Sequence, residues 1–142
     1  MARYPDIRIQ FLMNTKVVDL IDSGIDIAIR KGKQNNSSLH ARKIGVSNSV
    51  VCASPSYLQQ HGVPTQPDDL TQHNCLSFPV QSKKQWKFNV NGQVQEVSIN
   101  GRINANNLIL LRNSAVAGLG IINILTWMVK HEIQQERLVP LL

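Results

Sequence analysis

The stretch PDIRIQFLMNTKVVDLIDSGIDIAIR, residues 5–30, predicts a strand, a helix and a second strand. Apolar side chains alternate over residues 7–11 and again over residues 25–29, which is the period-two pattern of strands. Between them, apolar residues recur at helical spacing over residues 17–21, and Gly24 is a typical helix stop. Because a helix that joins two strands favours a parallel pair, this stretch predicts an α/β domain.

The composition is that of an ordinary globular protein. The 142 residues are 42% hydrophobic and 17% charged, which excludes a wholly disordered chain. Apolar runs such as Leu108–Leu111 are far shorter than the roughly 20 residues of a membrane span, and the first residues lack the apolar core of a secretory signal. The net charge of +6 is spread without a run of five like charges, which favours a basic solvated surface over a nucleic-acid site.

Beyond residue 48, predicted strands and helices continue to alternate. The strand Ser49–Ala53 leads into a short helix that Ser54 caps, with Pro55 as its first residue. The other predicted strands cover residues 39–44, 75–78, 101–105 and 120–125, and the other predicted helices start near residues 67, 108 and 127. Residues 138–142 form a short apolar tail or a further strand.

The dipeptide Asn91-Gly92 is the strongest hairpin signal in the chain. It joins two segments with alternating apolar residues, Trp86–Val90 and Val94–Ile99. Because Val94 and Val97 stand at positions of opposite parity, we expect a bulge in the returning strand.

Motifs for catalysis or metal binding are missing from the sequence. Cys52 and Cys75 lie in apolar, strand-like contexts and predict buried, reduced thiols of a cytosolic protein. The carboxylate pair Asp68-Asp69 is interpreted as a helix start, and the segment Gly118–Gly120 as a helix end. No nucleophile, base and orienting group can be assembled, so we predict no enzyme, no cofactor and no metal site.

Polar side chains stand at three of the predicted strand–helix junctions. Asn14 and Thr15 follow the first strand, Ser54 follows the strand that ends at Ala53, and the pair Asn106-Asn107 follows the strand at residues 101–105. Each side chain could simply cap its helix. Ligands of α/β domains also bind at the carboxyl ends of strands, beside helix N-termini. Capping and ligand binding are therefore both open at these positions.

Two more polar residues allow a similar choice. Arg30 stands on the opposite strand face from Ile27 and Ile29, where it could hold a carboxylate or be solvated at a strand end. Asn123 interrupts an apolar strand and needs partners if it is buried. It could bond to the neighbouring backbone or line a polar pocket.

Eight short segments of the sequence form an ordered set that spans essentially the whole chain. They are RYPDIRI (3–9), VDLIDSGIDIAIR (18–30), LHARKIG (39–45), VCASPSYL (51–58), PDDLTQHNCL (67–76), WKF (86–88), AGLGI (117–121) and RLVPL (137–141). Each motif is weak alone, but taken in order the eight resemble the effector-binding domain of LysR-type transcriptional regulators.

The resemblance implies an α/β fold like the type 2 periplasmic binding proteins, with two subdomains around a cleft that holds a small effector. Residues 1–51 would form an incomplete first subdomain, and residues 52–142 the second. Carried over by position, with Asn123 added from the residue analysis, the expected effector-binding residues are Asn14, Thr15, Arg30, Ala53, Ser54, Phe78, Asn106 and Asn123. The effector would be a small molecule, anionic if Arg30 binds it, and binding would involve no chemistry.

The sequence also departs from the family pattern. The helix-turn-helix, the linker helix and parts of the first subdomain have no counterpart, so the chain resembles a domain truncated at both ends. Leu125 stands where the family usually has proline, and Asn123 where it has an apolar residue. We therefore expect DNA contact only through a domain outside this chain, self-association, no membrane contact and a cytoplasmic location. The alternatives are a remnant of a truncated regulator gene and a solute-binding protein of the same fold.

Overall fold

The computed structural model describes residues 3–13, 19–30, 39–78 and 84–142. The chain divides into two compact units, Met1–Arg42 and Lys43–Leu142, here called the first and second unit. The subdomain boundary predicted between residues 51 and 52 stays a prediction.

The first unit does not contain the predicted strands in its described part. Residues 7–13 and 25–30 form no strand, and most of their apolar side chains are exposed, as at Ile9 and Ile27, whereas Ile25 is half-buried. Alternation predicts an extended segment, but a strand also needs a neighbour that accepts and donates its backbone hydrogen bonds. Neither described segment has such a neighbour. The prediction of strands over residues 7–11 and 25–29 is therefore wrong for this structure.

The predicted helix stop at Gly24 is present as a turn. Gly24 has φ +61°, its N–H donates to Ile21 O at 3.1 Å, and the N–H of Ile25 donates to Leu20 O at 2.9 Å. This pair of bonds is the Schellman arrangement that closes helix C-termini. The start of the predicted helix lies outside the described residues.

In its described residues, the second unit contains a four-stranded mixed sheet, a hairpin and three α-helices. The strand order is β2-β5-β1-β6, in which β2 and β5 are parallel and the other pairs antiparallel. In chain order the elements are β1 (Ser49–Ala53), α1 (Pro55–His61), a 3₁₀ helix (Pro67–Gln72), β2 (Cys75–Leu76), β3 (Gln85–Val90), β4 (Gln93–Ser98), α2 (Leu108–Val116), β5 (Ile121–Leu125), α3 (Thr126–Gln134) and β6 (Val139–Leu141).

Apolar side chains cover both faces of this sheet. On one face, α1, the 3₁₀ helix and the hairpin bury residues such as Tyr57, Leu70 and Val97. On the other face, α2 and α3 bury residues such as Leu111 and Val129. The sheet is therefore the middle layer of a three-layer α/β unit, as expected for a sheet that is apolar on both sides.

The hairpin β3–β4 has the predicted turn but not the predicted bulge. Asn91 and Gly92 have φ values of 52° and 82°, as a type I′ turn requires. The register is unbroken from Gln85 opposite Ser98 to Val90 opposite Gln93. Val97 is buried and Val94 is 69% exposed, so the opposite parity of the two valines means that they lie on opposite faces of the hairpin.

The predicted strand over residues 39–44 is also absent. These residues are described, form no strand and are exposed. The predicted strand over residues 101–105 is reduced to single bridges, with Asn100 beside Asn74 and Asn104 beside Ser77. Within the described residues, no helix is both long and apolar enough to span a membrane.

The two cysteines are free and fully buried, as predicted. Cys52 and Cys75 belong to the core clusters on opposite faces of the sheet. Burial raises the pKa of each thiol to about 12, and the nearby Glu132 carboxylate also raises that of Cys52. Both side chains therefore act as small apolar core residues.

Candidate functional site

The direction of β1 separates the predicted site residues of the second unit. β1 is antiparallel to β5, with Ser49 opposite Leu125 and Cys52 opposite Ile122. The end of β1 therefore lies beside the start of β5. Because β2 runs parallel to β5, the ends of β2 and β5 meet at the other end of the sheet. We call these the β1-exit end and the β5-exit end.

Ala53 and Ser54 lie at the β1-exit end. Ala53 is fully buried in the core. The Ser54 hydroxyl accepts a hydrogen bond from the Tyr57 N–H at 3.2 Å and lies 3.0 Å from the Ser56 hydroxyl, so it caps α1 as predicted. A Cβ atom on Gly118 would come within 3.0 Å of the Ser56 hydroxyl, which places the turn after α2 directly against this cap. Capping and packing account for both residues.

Phe78 and Asn106 lie at the β5-exit end. The backbone of residues 103–105 runs alongside β2: the Ser77 N–H donates to Ile103 O, and the Ala105 N–H donates to Ser77 O, both at 3.1 Å. Asn106 is exposed and follows this segment directly. Ala53 and Ser54 therefore lie at the opposite end of the sheet from Phe78 and Asn106, because an antiparallel strand ends at the opposite edge. The expected role of these four residues in effector binding stays a prediction.

Asn107, rather than Asn106, caps α2. Its side-chain oxygen accepts hydrogen bonds from Ile109 N at 2.9 Å and Leu110 N at 3.0 Å. The Asn106 side chain is therefore not needed for the helix start. Phe78 is partly buried and packs against the core cluster beneath α2 and α3.

Ser77 is a residue of this end that the sequence analysis did not single out. It is 6% exposed, and within the described part of the chain its hydroxyl has no hydrogen-bond partner. Leu76 pairs with Ile122, so Ser77 and Asn123 each follow by one residue and stand on the same face of the sheet. A buried hydroxyl without a partner costs about 1–3 kcal/mol, so it demands an explanation.

Asn123 belongs to β5, opposite Val51 in β1. It is partly buried, on the sheet face that also carries Ile121. The structure therefore puts two polar side chains, Ser77 and Asn123, at neighbouring positions on an otherwise apolar face. The sequence signal that could have found Ser77 is its place one residue before Phe78, at the end of a buried strand.

The remaining predicted residues belong to the first unit. Arg30 is described there and is exposed. Asn14 and Thr15 lie outside the described residues. In the parts of the chain that the structure describes, no group of three histidine, cysteine, aspartate or glutamate side chains could hold a metal ion.

Comparison with known proteins places this geometry in a family. The model of the LysR substrate binding domain matches residues 1–142. An HTH-type transcriptional regulator of Haemophilus influenzae is 35% identical over 100% of this chain and 50% of its own length. The regulator CrgA of Neisseria meningitidis serogroup B is 32% identical over 99% of this chain and 47% of its own length. The chain thus spans about half the length of these relatives.

Solved structures give the same result. The full-length AphB N100E variant superposes with a TM-score of 0.89 at 34% identity, over 100% of this chain and 49% of that protein. The regulatory domain of AphB from Vibrio vulnificus superposes with a TM-score of 0.86 at 33% identity, over 99% of this chain and 71% of that domain's chain. These matches confirm the predicted α/β fold of the periplasmic-binding-protein type and the predicted resemblance. This chain belongs to the LysR substrate-binding domain family, whose members are transcriptional regulators.

Proposed function

We propose that this chain is the effector-sensing region of a LysR-type transcriptional regulator and that it binds a small molecule at the β5-exit end. The observation that carries the proposal is the buried hydroxyl of Ser77, which has no partner within the described residues. Ligands of α/β sheets bind beyond the carboxyl ends of parallel strands, and β2 and β5 are the parallel pair here. An effector that hydrogen-bonds to Ser77 would remove the cost of the unpaired hydroxyl.

The neighbouring residues support a small polar ligand with an apolar part. Asn123 adds an amide beside Ser77, and Asn106 lies beyond the segment that pairs with β2. Phe78 packs against the core on the opposite face of the sheet and stays a proposed contact at the end of β2. A few placed polar groups on an apolar surface are typical of small-molecule sites. Binding would shift the equilibrium between two arrangements of the protein, and no chemical step is involved.

The role of the longer protein is part of this proposal. Its relatives are named HTH-type regulators, so a helix-turn-helix domain would make the DNA contact. The regulator would associate with itself and act in the cytoplasm. We keep the division into subdomains 1–51 and 52–142 as a proposal about the intact domain. Asn14, Thr15 and Arg30 would contribute from its first half, whereas Ala53 and Ser54 keep the capping and core roles described above.

Replacing Ser77 with alanine should weaken effector binding without destabilising the unliganded protein. Removing an unpaired buried hydroxyl relieves its desolvation cost and leaves no donor or acceptor behind, so the unliganded variant should be at least as stable as the wild type, by up to about 1–3 kcal/mol. One lost hydrogen bond to the ligand should weaken binding about fivefold. Thermal denaturation in the presence of a panel of organic acids, sugars and amino acids first identifies a ligand that raises the melting temperature. Titration with that ligand then compares its affinity for the variants and for the wild type.

Ser98→Ala is the matched control for this experiment, because Ser98 is exposed in β4, on the hairpin. It should leave both stability and binding unchanged. Equal affinity of Ser77→Ala and the wild type for the same ligand would contradict the proposed site. A loss of several kcal/mol of stability in unliganded Ser77→Ala would show instead that the hydroxyl has a structural role.

An anionic effector is expected to depend on Arg30. Its guanidinium can bind a carboxylate through two parallel hydrogen bonds. Arg30→Ala should then abolish stabilisation by a carboxylate ligand and leave the unliganded melting temperature nearly unchanged, because the side chain is exposed. Differential scanning fluorimetry measures both quantities. Unaltered stabilisation in the variant would exclude Arg30 from the site.

A further inference from the structure

A second feature lies at the β1-exit end of the sheet, away from the proposed effector site. It is a shallow, open depression of about 460 Å³ in the second unit. The end of the 3₁₀ helix, the residue before β3 and the segment after β4 together form its walls. The lining residues that matter here are His73, Asn74, Lys84, Asn100, Gly101 and Arg102.

The charge of this depression is one-sided. His73, Lys84 and Arg102 come from three different segments, and the residues that line the depression include no carboxylate. The two acidic residues of the adjoining 3₁₀ helix have other partners: Asp69 accepts hydrogen bonds from Thr65 and Gln66, and Asp68 accepts one from Gln95 at 2.8 Å. Basic groups that converge without an internal counter-ion produce a local positive potential that attracts anions.

The floor of the depression is held by hydrogen bonds from the backbone and from the Asn74 side chain. The Cys75 N–H donates to Asn100 O at 2.7 Å, and the Arg102 N–H donates to the Asn74 side-chain oxygen at 2.8 Å. The Asn74 amide also donates to Leu119 O. Gly101 packs so closely on Cys75 that no side chain fits between them. The backbone that carries Arg102 is therefore fixed before any ligand arrives, which lowers the cost of binding.

His73 is fixed by a tyrosine. The Tyr57 hydroxyl accepts the Asn74 N–H at 2.9 Å and lies 3.2 Å from His73 Nδ1. Because the hydroxyl already accepts one bond, it can donate its own hydrogen to Nδ1, and His73 then carries its hydrogen on Nε2. Burial lowers the pKa of His73, His61 lowers it further, and Asp69 acts in the opposite direction.

We propose that this depression binds a small dianionic oxyanion, such as a sulfate or a phosphate group, between Arg102, Lys84 and His73. Arg102 supplies a fork of donors that matches two oxygens of a tetrahedral anion, and Lys84 supplies a point charge. His73 supplies a donor from Nε2. This site goes beyond the proposed effector function and lies at the opposite end of the sheet, so either one can fail without the other.

Binding at this site should strengthen as pH falls. An anion near the imidazole favours its charged form, so binding raises the pKa of His73, and protonation of His73 in turn favours binding. The charged or titratable groups around the ring are Tyr57 and His61 from α1, Asp69 from the 3₁₀ helix, and Lys84 and Arg102 across the depression.

Titration of the protein with sulfate tests the proposal. Sulfate is the probe because its own charge is constant between about pH 5.5 and pH 8, the range in which histidine titrates. Sodium chloride keeps the ionic strength constant. Amide shifts in ¹H–¹⁵N spectra should saturate around Gly101 and Arg102, with tighter binding at about pH 5.5. Arg102→Gln should weaken sulfate binding at least about tenfold. Lys84→Gln is the second variant and should also weaken it, because Lys84 supplies a point charge of the same site.

Two controls make the outcome decisive. Lys130→Gln removes the same charge from α3, which packs on the other face of the sheet, and should leave sulfate binding unchanged. His73→Gln should remove the pH dependence while dispersion of the spectrum shows a folded protein. Non-saturating shifts, or equal weakening by Lys130→Gln and Arg102→Gln, would overturn the proposal. A response to a DNA duplex but none to sulfate would overturn it as well.

Discussion

Gly101→Ala is expected to destabilise the second unit by more than about 3 kcal/mol, the largest effect of any substitution considered for this chain. A Cβ atom built on Gly101 would overlap the carbonyl group of Cys75, and its nearest neighbours are backbone atoms that cannot rotate away. The segment after β4 would therefore have to move off β2. The bonds from Cys75 N to Asn100 O and from Ser77 N to Ile103 O would be lost with that movement.

Gly45→Ala is the control for this substitution. Nothing lies within 4 Å of a Cβ atom at Gly45, so alanine there should change stability by less than about 0.5 kcal/mol. Urea denaturation followed by circular dichroism measures both variants. A Gly101→Ala protein within about 1 kcal/mol of the control would show that the backbone adjusts, contrary to this prediction.

Glu132→Ala is expected to cost about 2 kcal/mol or more, because Glu132 is an acidic residue of the core. It is 7% exposed, and its carboxylate lies 3.7 Å from the guanidinium groups of Arg112 and Arg137. Its side chain thus connects α3 to α2 and to the segment that leads into β6. The expected cost lies below that of a fully buried pair, because both contacts are long and Arg137 is half exposed.

Glu132→Gln separates charge from packing and should lose less stability than the alanine variant. Lys87→Ala is the control, since its 2.6 Å ion pair with Glu96 is exposed and should contribute no more than about 1 kcal/mol. Thermal denaturation in low and high salt gives the comparison. If Glu132→Ala and Lys87→Ala lost equal stability, Glu132 would have no special role in joining the helices.

The elements whose signal is local were predictable from the sequence. The helix starting near residue 108 begins at Leu108 with Asn107 as its cap, and α1 begins at Pro55 after the Ser54 cap. Asn91-Gly92 makes the hairpin turn, and β1 has the predicted bounds. Caps, turn residues and apolar periodicity act within a few residues, so one chain segment is enough to specify them.

Elements that depend on a distant partner were not predictable in this way. Residues 7–11 have the alternation of a strand but no adjacent strand within the described part of the first unit. The bulge expected around Val94 is absent, because the hairpin simply exposes that side chain. Glu132 stands in a polar segment of sequence, yet the packing of α2 against α3 buries it.

In the candidate site, too, some residues could be predicted from the sequence and others were found only in the tertiary structure. Asn106 and Asn123 follow from a strand end and a polar interruption in the sequence, and Phe78 was implied by the family resemblance. The ordered motifs by themselves identified the LysR substrate-binding family. The tertiary structure alone decided that Ser54 lies at the other end of the sheet and that Ser77 is buried without a partner in the described chain. Strand direction and burial are set by contacts between residues far apart in sequence, which no local pattern encodes.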